Sequence, residues 1–132
     1  MKSVTILALF GLLLSVPLAS RAEWKLIETY KDLEIYYDTN SVRRFSGHTM
    51  VTTLTNYFTP KSSGTERYES MTANRSINCD REEIALYSLV QYSESHARGQ
   101  EIFATPFDGK PTPIEKNTVA NDLMNVICKI QI

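Results

Sequence analysis

The chain has little of what catalytic and metal centres are built from. Among 132 residues there are two cysteines, two histidines and five glycines. A structural metal site needs about four Cys/His ligands at short spacings such as C-x2-C. Cys79, Cys128, His48 and His96 have no such spacing. The scattered glycines form no phosphate-cradling loop. No nucleophile, base and orienting group recur in a family-type pattern. These absences argue against an enzyme and give no cofactor. The charge is also balanced, with 14 basic and 15 acidic residues. No basic stripe tracks a phosphate backbone, so nucleic acid is not an expected partner. Beyond residue 22 there is no long hydrophobic run, and so no expected membrane span.

The one apolar run lies at the start, in "MKSVTILALFGLLLSVPLASRAEW". Lys2 supplies a positive charge, Val4 to Val16 is almost wholly apolar, and Pro17 breaks any helix. Ser20 and Ala22 are the small residues before a cut. This is the three-part pattern of a secretory signal peptide, and the run is too short for an anchor. The reading is a signal peptide over residues 1–22 and a single domain over 23–132. Cleavage removes Lys2 and Arg21, which leaves 12 basic against 15 acidic residues and a net charge of −3. A domain of this size buries roughly two-thirds of its unfolded surface.

Export bears on the cysteines. An exported domain with an even number of cysteines usually pairs them, and here only one intramolecular pairing exists. A Cys79–Cys128 disulfide is therefore expected. Closing a loop of about fifty residues stabilises by roughly 4 kcal/mol in the chain-entropy model.

Period-2 alternation and β-branched residues then mark strands. "EWKLIETY" alternates Trp24 and Leu26 with polar neighbours. "LEIYYD" sets Leu33, Ile35 and Tyr37 on one side. "HTMVTTLTNYF" is a third strand, and "TPKSSG" reads as a turn cluster. "TERYESMTANRSINC" runs into Cys79. "REEIALYSLVQYS" is apolar on both faces, which predicts a central strand. "QEIFAT" is the sixth. Short turns between them favour an antiparallel meander. The tail changes period. In "TVANDLMNVICKI" the apolar residues Val119, Leu123, Val126, Ile127 and Ile130 follow helical spacing, with Asn121, Asp122, Asn125 and Lys129 on the opposite arc. Asn117 or Thr118 caps the start. The spacing predicts a helix to about Lys129, with Cys128 at the edge of its buried face. The fold class is α+β: an antiparallel sheet of about six strands, a C-terminal helix packed on it, and one disulfide.

Trp24, "YYDTNSV" at Tyr36 to Val42, Cys79 next to a long strand, Gly99 in a turn, a proline-containing loop and "VIC" near the end occur in one order. In this order the chain resembles the surface-adhesin protein E family of Gram-negative bacteria, over essentially its whole mature length. "ANRSIN" before Cys79 departs from the acidic or aromatic residues of that pattern. The resemblance implies a compact antiparallel sheet with a packed helix and no catalytic centre. For the name-giving member it also implies binding of host extracellular proteins at the cell surface. No binding residue transfers.

The remaining polar residues have plain structural readings. Asp38 suits an Asx-type turn over "TNS". Arg43 and Arg44 suit a solvated turn. Seven tyrosines fit a half-buried sheet as well as an interface. "NRS" at Asn74 matches a glycosylation pattern that a bacterial exported protein is expected to leave unmodified. The leading expectation is a non-enzymatic, adhesin-like protein, periplasmic or at the cell surface. It would contact a host extracellular or periplasmic protein through an exposed sheet face or edge, and a homodimer is compatible with this. The alternatives are a periplasmic inhibitor or accessory protein and a haem-binding carrier using His48 or His96.

Overall fold

The computed structural model describes residues 21–132. The expected signal peptide lies outside the described residues, except for Arg21 and Ala22. Eight strands and one helix follow in order: β1 Trp24–Thr29, β2 Leu33–Asp38, β3 Arg43–Phe45, β4 His48–Ser63, β5 Glu66–Asn78, β6 Glu83–Glu94, β7 Arg98–Pro106, β8 Thr112–Pro113 and α1 Val119–Ile127. All pairings are antiparallel, in the order β1-β2-β4-β5-β6-β7. Two short strands fill in beside this path: β3 pairs with β4, and β8 with β6.

Register assigns the faces, because directly opposed residues project to the same side. One row runs Ile35–Thr55–Met71–Gln91–Phe103. The next runs Tyr37–Thr53–Ala73–Leu89–Thr105. Val51, Arg75 and Leu86 follow, then Thr49, Ile77 and Ile84. This is the face on which the helix lies. Tyr37, Val51 and Ile77 meet Leu123, Met124 and Ile127 in the buried core. The helix starts at Thr118, whose side chain accepts from the Asn121 N–H. It ends at Ile127, capped by Cys128, two residues short of the expected end.

The disulfide joins Cys79, just past β5, to Cys128, the C-cap of α1, with Cα atoms 5.9 Å apart. Both cysteines pack on the rim of the core. The buried set is small and includes hydroxyls at Thr49, Thr53, Thr55, Ser70 and Ser76. A core of this kind stabilises less than an all-aliphatic one, and a covalent tie compensates.

Three local expectations change. The "TPKSSG" segment is no plain turn, because β4 runs through it to Ser63 after a bulge between Asn56 and Lys61. In β1, pairing with Tyr36 leaves Leu26 exposed on the face away from the helix and gives Ile27 the core side, and a bulge between Leu26 and Glu28 then brings Glu28 opposite Ile35. The two most central strands are β4 and β5, while β6 neighbours the β7 edge and is mostly half-buried. Its apolar residues serve two partly open faces rather than a sealed centre.

Candidate binding surface

The helix is too short for the sheet it covers. Nine residues span about 14 Å, whereas the 13 residues of β5 extend about 43 Å. The helix therefore covers the disulfide end and leaves the rest of that face open. The open part includes Met71, Leu86 and Leu89, all half-buried, and Phe103, which is 46% exposed. Phe103 lies on β7, which among the described residues pairs on one side only. Its unpaired backbone groups form a nine-residue edge, with Arg98 and Glu101 exposed along it. The carbonyl Oε1 of Gln91, in the same row as Phe103, is buried without a hydrogen-bond partner among the described residues.

At the inner margin of this open area is a cavity of about 260 Å³. Ile35, Thr53, Thr55 and Arg75 line it from the sheet, and Val119, Ala120 and Leu123 from the helix. The Arg75 Nε donates to Thr53 Oγ1 at 3.1 Å. Burial holds the Arg75 pKa below its ordinary value, with the Tyr57 hydroxyl acting in the opposite direction. Arg75 belongs to "ANRSIN", the stretch that departs from the family pattern. Its inward position is encoded by alternation with Ala73 and Ile77, two residues to either side.

The other face is closed differently. The turn between β6 and β7 folds back over it. The His96 N–H donates to Asn56 Oδ1 at 2.7 Å, and the Ala97 N–H to Ser70 Oγ at 3.0 Å. Ser70 Oγ in turn donates to the Glu94 carbonyl at 2.6 Å. Both turn residues take positive φ, and the His96 ring lies against Tyr36 with centroids 5.7 Å apart. His96 is thus a packing residue held by its backbone. His48 begins β4, eight residues from Asn56, about 26 Å along a strand. The two histidines are too far apart to share a ligand. Among the described residues no three His, Cys, Asp or Glu side chains group as a metal site.

The other polar residues also resolve. Asp38 accepts from the Asn40 N–H at 2.9 Å, as an Asx turn requires, and also from the Glu23 N–H at 3.0 Å. Arg44 donates to the Ile130 carbonyl at 2.7 Å, whereas Arg43, its β3 neighbour, lines a depression with Ser41 and Asn74. Adjacent strand residues point to opposite faces, so the pair forms no joint anion grip. Asn74 bonds within the sheet, accepting from Thr52 and donating to Ser88. Tyr37 is core, and Tyr57 meets Tyr68 edge-on at 5.7 Å.

The fold matches solved structures. The structure of Haemophilus influenzae protein E aligns with a TM-score of 0.59 at 14% identity, covering 84% of this chain and 90% of that one. The crystal structure of protein E from non-typeable Haemophilus influenzae aligns with a TM-score of 0.58 at 12% identity, covering 83% and 79%. At such identities the likeness speaks for the fold. No curated protein sequence matches the chain. The family model described as Surface-adhesin protein E matches residues 24–129, nearly the whole of the described chain, and the protein belongs to that family.

Proposed function

We propose that this protein is an exported, non-enzymatic, adhesin-like binding module that contacts another protein through the open part of the helix-side sheet face and the adjoining β7 edge. The observation that carries the reading is the row ending in Phe103. It carries Met71 and Phe103 on its uncovered part and runs directly onto a strand that pairs on one side only among the described residues. An open edge offers main-chain hydrogen bonds to an added strand, and the side chains beside it supply selectivity. An aromatic anchor next to such an edge is the usual energetic centre of a contact. Membership of the surface-adhesin family supports a host extracellular protein as the partner, and a periplasmic protein is the other candidate. Residues 1–22 act as the signal peptide in this reading, and the mature chain starts at Glu23.

The test is capture by the mature domain, residues 23–132, from a panel of host matrix proteins and from periplasmic extract. Labelling of intact cells with an impermeant reagent separates the two compartments. A matrix protein captured by a cell-exposed domain supports adhesion. Capture of a periplasmic protein by an unlabelled domain supports the inhibitor or accessory role. No capture from either source contradicts a binding module.

A further inference from the structure

The cavity beneath the start of α1 holds a cation with no counter-charge among the described residues. Arg75 is half-buried, and only its Nε is engaged, by Thr53 Oγ1 at 3.1 Å. Among the described residues its Nη groups have no hydrogen-bond partner, and they are not sealed from solvent. Among the described residues no carboxylate acts on it, and the one titratable group that does is the Tyr57 hydroxyl, which is neutral at ordinary pH. A partly desolvated guanidinium gains from a counter-charge, and its planar fork matches a carboxylate in two-point contact. The remaining walls set the rest of the chemistry. Ile35, Ile84 and Leu123 are apolar, and Thr53 and Thr55 add hydroxyls beside the guanidinium.

We infer that this cavity binds a small monocarboxylate with a short apolar tail, the carboxylate paired with Arg75 and the tail packed against Ile35, Ile84 and Leu123. Size agrees. The volume of about 260 Å³ equals that of roughly nine waters in the liquid, and is below the roughly 300–1,000 Å³ of drug-sized ligand sites. An acid of about six carbons fits such a space. A compact, strongly hydrated anion such as phosphate does not suit it, because most of the wall cannot replace its hydration shell.

The probe is hexanoate, titrated into the isotopically labelled mature protein and followed by amide resonances. Hexan-1-ol and inorganic phosphate serve as comparators. Hexanoate is expected to give saturable shifts at Thr53, Thr55 and Ala120, at least tenfold tighter than hexanol, with phosphate silent there. Arg75→Met is expected to erase the preference for hexanoate over hexanol. Should that variant not fold, Ala120→Phe fills the cavity from the helix with Arg75 intact, and is expected to abolish the shifts. Equal binding of hexanoate and hexanol, phosphate shifts matching those of hexanoate, shifts confined to other regions, or no saturable shift would each overturn the assignment.

Discussion

The Tyr30 hydroxyl, just past β1, donates a hydrogen bond to the Asp122 carboxylate in the first turn of α1, ninety-two residues away. With the disulfide at the far end of the helix, it holds α1 at both termini. Burial and then the Asp122 bond push the Tyr30 pKa up to about 12 from 10.0. The native state therefore holds the phenolic proton more tightly than the unfolded chain. The contribution is fully present below pH 10 and is lost as pH rises toward 12. Tyr30→Phe is expected to cost about 1 kcal/mol at pH 8. Urea midpoints of wild type and variant should converge as pH is raised from 10 to 12. A gap that stays constant across that range would remove the proton-linked bond.

The disulfide is expected to govern stability rather than binding chemistry. Replacing Cys79 and Cys128 together with Ser should cost roughly 2–5 kcal/mol, a large part of what a domain of this size has. Thiol titration of denatured, unreduced protein should find no reactive cysteine. Two titratable thiols in exported protein would contradict the tie between sheet and helix.

Two glycines separate backbone strain from crowding. Gly47 and Gly109 both take positive φ, at 79° and 69°. A Cβ at Gly47 meets nothing within 4 Å, whereas one at Gly109 would come within 2.4 Å of the Tyr87 ring. Ala at either position should cost about 1–2 kcal/mol from the left-handed backbone. Only Gly109→Ala should move the Tyr87 ring resonances. Tyr87 signals unchanged in that variant would mean that the ring does not pack on the 107–111 loop.

Much of the architecture was legible because it follows from period. Ile35 and Tyr37 alternate into the core as the pattern of β2 requires, and Leu123 and Ile127 fall on one helical stripe. Asp38 and Thr118 act as local hydrogen-bond acceptors, a role that residue type alone suggests. What was not legible depends on bulges and on long-range contacts. Pairing with Tyr36 turns Leu26 outward and gives Ile27 the core side, a choice of face that alternation within β1 cannot report, and a bulge then shifts Glu28. Another lets β4 continue through "TPKSSG", a run rich in turn formers, because pairing with β5 overrides local preference. The role of His96 lies in its backbone, and a sequence shows only side chains. Nothing in the sequence around Arg75 singles it out. Its placement beneath α1 follows only once β5 is registered against β4 and the helix is laid across them.

The most direct measurement compares two exposed apolar residues at opposite edges of the sheet. Phe103 on β7 is 46% exposed and on the helix side, and Leu26 on β1 is 47% exposed and on the other face. Each is replaced by Asp, folding is checked by thermal melting, and affinity for the captured partner is measured by surface plasmon resonance. Phe103→Asp is expected to weaken binding at least tenfold, the loss of a central aromatic anchor, with Leu26→Asp near wild type. Equal retention in both variants, or a loss confined to Leu26→Asp, would contradict a binding surface at the open end of the helix-side face.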